Sequence, residues 1–136
     1  MRLVVDTNVL VSGLLSAHGP PGLIMSEIMA GEVSLCLDHR ILLEYQEVLS
    51  RPCFSFEKRE VWMLLAAVQA QSELITCQRL DISLPDPDDL PFLEVALSAM
   101  AEGLVTGNSA HFPSKMCQGV RVLTPREYVD ERLQSR

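Results

Sequence analysis

What the chain lacks narrows its class before any motif is read. It has no long hydrophobic run. Each apolar stretch meets a charge, a proline or a glycine well short of the roughly 20 residues that a membrane span needs, so no membrane partner is expected. It has no basic excess: 11 Lys and Arg face 18 Asp and Glu, a formal net charge of −7. That excludes a protein that grips nucleic acid through a general basic coat, but not one that meets phosphate through a bound metal. It has no paired cysteines. Cys36, Cys53, Cys77 and Cys117 are far apart and none forms a CxxC pair, which argues against a four-cysteine zinc site and for free, buried thiols in a reducing cytoplasm. The opening Met-Arg-Leu-Val-Val-Asp reads as a strand and lacks the apolar run and cleavage site of a secretory leader, so a cytoplasmic location is expected. No repeat, low-complexity tract or linker divides the chain, and 136 residues make one domain, 1–136.

What is present is an ordinary globular composition, 48% apolar, arranged as alternating short strands and amphipathic helices. Leu3-Val4-Val5 is a strand ending on Asp6, and Val9, Leu10 and Leu14 follow at helical spacing. Pro20-Pro21-Gly22 reads as a break, with a helix from Leu23 to Ala30 after it. Val33–Leu37 is a second strand ending on Asp38, and a helix runs from about His39 to Ser50 with Ile41, Leu42, Tyr45, Val48 and Leu49 in one stripe. Glu57–Gln71 is a further helix, whose apolar face at Val61 to Val68 suits either the core or a homodimer contact. Leu74-Ile75-Thr76 is a third strand. Asp86-Pro87-Asp88-Asp89 is an acidic turn in which Asp88 or Asp89 caps a helix running toward Gly103, with Pro91 in its first turn. Leu104-Val105-Thr106 and Val120–Leu123 complete the strands, and a helix over Pro125–Leu133, capped by Thr124, closes the chain.

Strands that are apolar without clean alternation, each followed by a helix, predict a parallel sheet covered on both faces: an α/β fold, a three-layer α/β/α sandwich. Ligands in such sheets lie beyond the carboxyl ends of the strands. Asp6, Asp38 and Asn108 stand there, Glu44 lies on the helix after the second strand, and Asp86, Asp88 and Asp89 precede the helix that leads into the fourth. Each has a plain structural role when taken alone. An Asp after a strand caps a helix, as Asp38 beside His39 suggests; Asp-Pro-Asp-Asp makes a turn; Glu44 sits on a solvated helix face. Their joint placement is what calls for a cation, and oxygen ligands suit Mg²⁺ or Mn²⁺. Metal-dependent phosphodiester hydrolysis follows as the natural reading.

These residues resemble the PIN domain family, in particular its bacterial and archaeal toxin branch from toxin–antitoxin pairs. The matching pieces are Val4-Val5-Asp6-Thr7-Asn8-Val9-Leu10, Leu43-Glu44-Tyr45-Gln46-Glu47-Val48-Leu49, Asp86-Pro87-Asp88-Asp89 with Phe92-Leu93-Glu94-Val95-Ala96-Leu97, and Leu104-Val105-Thr106-Gly107-Asn108 with His111-Phe112-Pro113. The resemblance implies a five-stranded parallel sheet and an endoribonuclease holding Mg²⁺ or Mn²⁺, with single-stranded RNA as substrate and an antitoxin protein and a second copy as partners. Carried over by position, Asp6, Glu44 and Asp89 are the catalytic acids and Asp88 is the near alternative to Asp89. Asp6, Glu44, Asp88, Asp89 and Asn108 form the metal set. The family commonly has Asp where this chain has Asn108. Asn offers a carbonyl oxygen but no charge, so a catalytically weak module that binds RNA or protein is the alternative.

Thr7, Asn8 and Thr106 are placed to hydrogen-bond the acids. Arg40, Arg51, Lys58, Arg59 and Lys115 are candidate phosphate contacts, and His111 either touches substrate at the rim or is satisfied locally. A phosphatase with an Asp nucleophile on strand one would want a second Asp where Asn8 stands, and a receiver domain would want a late Lys; neither pattern is present.

Overall fold

The computed structural model describes residues 1–135. Strand β1 (Arg2–Val5) runs into α1 (Thr7–Leu15) and α2 (Pro20–Met29), then β2 (Ser34–Leu37), α3 (His39–Leu49), α4 (Lys58–Gln71) and β3 (Glu73–Leu74). After a long connection come α5 (Leu90–Ala99), β4 (Gly103–Val105), two 3₁₀ turns, β5 (Val122–Leu123) and α6 (Pro125–Gln134). The five strands form one parallel sheet in the order β3-β2-β1-β4-β5, as the apolar, unalternating strand runs predicted. Leu3, Val4 and Val5 are all fully buried because both faces of β1 are covered. Helix α5 packs on β1, β2 and β4, while α2 touches α1, α4 and α6. The chain moves outward from β1 to β3 and then returns to place β4 on the other side of β1, so right-handed crossovers put α5 opposite the α1–α2–α4 layer. The boundary between β1 and β4 is the point where the strand order reverses, the place where sheets of this kind open a crevice.

Several boundaries differ from the sequence reading. Pro20-Pro21-Gly22 does not break the chain but forms the first turn of α2, where a proline's missing N–H costs nothing. Gly22 is required there: a Cβ would lie 2.2 Å from the Ala17 carbonyl oxygen. The helix expected to reach Gly103 stops at Ala99, because Met100 turns left-handed (φ 52°) and the Ala101 N–H returns to the Ala96 carbonyl at 3.0 Å. β3 starts one residue earlier than expected and ends at Leu74. β5 covers only Val122–Leu123, since Gln118 and Gly119 take positive φ and the Val120 N–H is spent on Cys117. Val61, Leu64 and Val68 are buried, so that face of α4 belongs to the core and is not free for a homodimer. All four cysteines are free; Cys36 and Cys117 are buried, Cys77 half-buried, and Cys53 is exposed against expectation. No single helix among the described residues is long and apolar enough to cross a membrane.

Candidate functional site

Asp6 ends β1 and precedes α1, but its side chain does not cap that helix. Its Oδ2 instead accepts from the Thr106 hydroxyl at 2.8 Å and from Asn8 Nδ2 at 3.3 Å. With only 5% of its surface exposed, burial pushes the Asp6 carboxyl above the ordinary range, against the opposing pull of Thr106, the backbone N–H groups of Thr7 and Asn8, and His111. Glu44 projects from α3, half-buried, and accepts a hydrogen bond from the Thr7 hydroxyl. Burial raises it too, and the charges of Asp6 and Asp88 add to the rise. The next residue fixes the helix in place: Tyr45, wholly buried, donates its hydroxyl to the carbonyl of Val5, the residue before Asp6. Asp6 and Glu44 are therefore held by adjoining residues of the same two elements.

The acidic turn closes on this pair from α5. Asp86 accepts from the Asp88 N–H at 3.0 Å and opens a 3₁₀ turn, Pro87–Asp89. Asp89 stands at the N-cap position of α5 as the sequence suggested, but its side chain makes no capping bond there. Asp89 points inward, with its side chain 13% exposed. Burial first, then the charges of Asp6 and Asp86, push its carboxyl up to about 6, although His111 pulls the other way. His111 places Nδ1 3.1 Å from Asp89 Oδ2. Asp88 is exposed on the rim. Asn108, after β4, is exposed as well; its backbone N–H donates to Thr106 Oγ1 at 3.0 Å, and that hydroxyl goes on to Asp6.

The charge of Asp6 thus acts on both Glu44 and Asp89, up to 83 positions away in the chain, at the reversal point of the sheet; Asp88 acts on Glu44, and the backbone of Asn108 joins through Thr106. Thr7, Asn8 and Thr106 hold the acids as the sequence suggested. Asp38 is a cap, accepting from the Ile41 N–H at 3.2 Å. Arg40 is not free to meet a phosphate as the sequence suggested, because Asp38 and the buried Glu94 both hold it at 2.7 Å. The sequence places Asp86 among the acids of this edge but outside the metal set, and leaves His111 open. Asp86, Asp89 and His111 each offer a ligand atom, and the three atoms lie within 4.8 Å of one another. The signal was a spacing of three residues, Asp86 to Asp89 and Asn108 to His111, which a 3₁₀ turn converts into proximity.

A sequence profile of the PIN domain matches residues 2–110. The chain belongs to the PIN domain family. No curated protein matches it closely enough to count as a relative. PIN domains are generally metal-dependent nucleases. The matched span holds Asp6, Glu44, Asp86, Asp88, Asp89 and Asn108 and stops one residue short of His111. Carboxylate oxygens with a single imidazole are a donor set suited to a divalent cation. Burial raises Asp6, and burial together with neighbouring carboxylates raises Glu44 and Asp89, a strain that such a cation relieves.

Proposed function

We propose that this PIN domain is a metal-dependent endoribonuclease that cleaves single-stranded RNA, the toxin member of a toxin–antitoxin pair. The observation that carries the reading is a carboxylate, Asp6, sunk to 5% exposure at the sheet's reversal point with two further raised carboxyls beside it. Such carboxyls are relieved either by protonation or by a countercharge, and a bound cation is the remedy that leaves them ionised at neutral pH. Asp6, Glu44 and Asp89 are the residues that hold Mg²⁺ or Mn²⁺, with Asp88 at the rim and the Asn108 carboxamide as a neutral oxygen donor. When bound, the cation neutralises phosphate charge and activates water.

The protein groups do the rest. Thr106 and Asn8 fix Asp6, and Thr7 fixes Glu44, so the acids keep their orientation as substrate enters. His111 engages Asp89 Oδ2 and so orients that carboxylate, leaving Oδ1 to face the cation. The decisive assay is RNA cleavage in Mn²⁺ by wild type and Asp6→Asn. A loss of at least a hundredfold in the variant is expected, and equal rates would overturn the assignment. The toxin role predicts a small neighbouring reading frame with a DNA-binding motif, whose product suppresses cleavage when added to the enzyme.

A further inference from the structure

We propose that the cleft between the end of α3 and the first half of α4 binds one nucleotide of the RNA strand, its base against Trp62 and its phosphate on Lys58 and Arg51. This rests on the cleavage reading, because it states where the strand lies beside the acids. The cleft has a volume of about 490 Å³, and its lining includes Arg51, Pro52, Phe56, Lys58, Trp62 and Leu65. In a chain of net charge −7, two cations and no carboxylate line it. The clefts against α6 differ, since each mixes arginine with glutamates: Glu27 and Glu32 in one, Glu102 and Glu131 in the other.

Trp62 is 70% exposed. It is not a core residue left outside, because α4 already buries Val61, Leu64 and Val68 on its inner face. Phe54 and Phe56 stack nearby with ring centroids 5.2 Å apart, so three of the chain's seven aromatic rings gather at this one place. Glu47 holds Arg51 through Nε and Nη2 at 3.0 and 2.8 Å, which orients the guanidinium and leaves Nη1 without a hydrogen bond among the described residues. Glu44 and Glu47 stand on α3 and Arg51 two residues past its end, and the charges of Arg51 and Glu44 act on each other. The cleft therefore lies at the C-terminal end of the helix that carries Glu44, on the side where Glu47 holds Arg51. A ligand that presents a planar apolar face and a negative charge together is a nucleotide. Only an unpaired strand presents that face freely.

Trp62 is the sole tryptophan, so its fluorescence reports on this cleft alone. Titrating the protein with a short oligoribonucleotide in EDTA, where no cleavage competes, is expected to quench it saturably. The midpoint should move to several-fold higher RNA concentration in Lys58→Ala. In Mn²⁺, Trp62→Ala is expected to raise KM for RNA about tenfold with kcat unchanged, and Trp62→Phe to restore most of the loss. Fluorescence that RNA leaves unchanged, or a Trp62→Ala enzyme with the wild-type KM, overturns the proposal. Emission that shifts with protein concentration but not with RNA also overturns it and marks the face as a contact between copies. Quenching by RNA in a wild-type protein that cuts nothing upholds the cleft and overturns the cleavage reading instead.

Discussion

At the scale of single residues, the site is defined by charge that the fold concentrates and does not neutralise. Asn108 is exposed beside this cluster and carries no charge. On the metal-binding reading proposed above, Asn108→Asp is expected to tighten Mn²⁺ binding by roughly tenfold, measured by calorimetry, since it offers one more charged oxygen. Asp89 gives a pH signature. Its folded carboxyl lies near 6, above the unfolded value of about 3.9, so the fold prefers the protonated form. That contribution to stability is fully present below about pH 4 and is lost as pH rises through 6. In EDTA, thermal melts should therefore show stability falling between pH 4 and 6.5, and Asp89→Asn should flatten that slope. That Asp6 and the acidic turn at Asp86–Asp89 face one sheet edge was legible from a strand end and a helix start. The approach of His111 to Asp86 and Asp89 was not, because only the 3₁₀ turns at Pro87–Asp89 and Ser109–His111 bring their atoms together.

At the scale of elements, local rules decided type well and boundaries less well. The proline pair was read as a stop, yet it starts α2, because a proline's effect depends on whether it falls in the first turn. Met100 offered no hint of a left-handed residue, since glycine is the usual choice there. The tight seat of α2 on the preceding turn makes a direct prediction. Gly22→Ala drives a Cβ into the Ala17 carbonyl, a backbone group that cannot swing away, so chemical denaturation should register a loss of about 1–3 kcal/mol. A measured change under 0.3 kcal/mol would show that the α1–α2 connection gives way freely.

At the scale of the whole molecule, the parallel sheet and its layers were legible because unalternating apolar strands have few other solutions. Strand order was not, since it depends on pairings such as Leu3 with Gly103 that no local pattern announces. On the metal-binding reading proposed above, the acid cluster in a chain of net charge −7 makes stability sensitive to divalent cations. Saturating Mn²⁺ should raise the melting temperature by several degrees over EDTA at pH 7.5, and Asp6→Asn should lose most of that gain. An equal gain in the variant would place cation binding elsewhere on the acidic surface.

The hydrogen bond from Thr106 to Asp6 spans 100 positions of sequence. During synthesis, a nascent chain displays Asp6 and Glu44 long before Thr106 and β4 leave the ribosome. Until then β1 has no neighbour on one edge, and Asp6 has no hydroxyl to orient it. The acidic centre is therefore complete only once β4 has paired with β1, so the orientation of Asp6 is a late event of folding and not a property of the N-terminal segment alone.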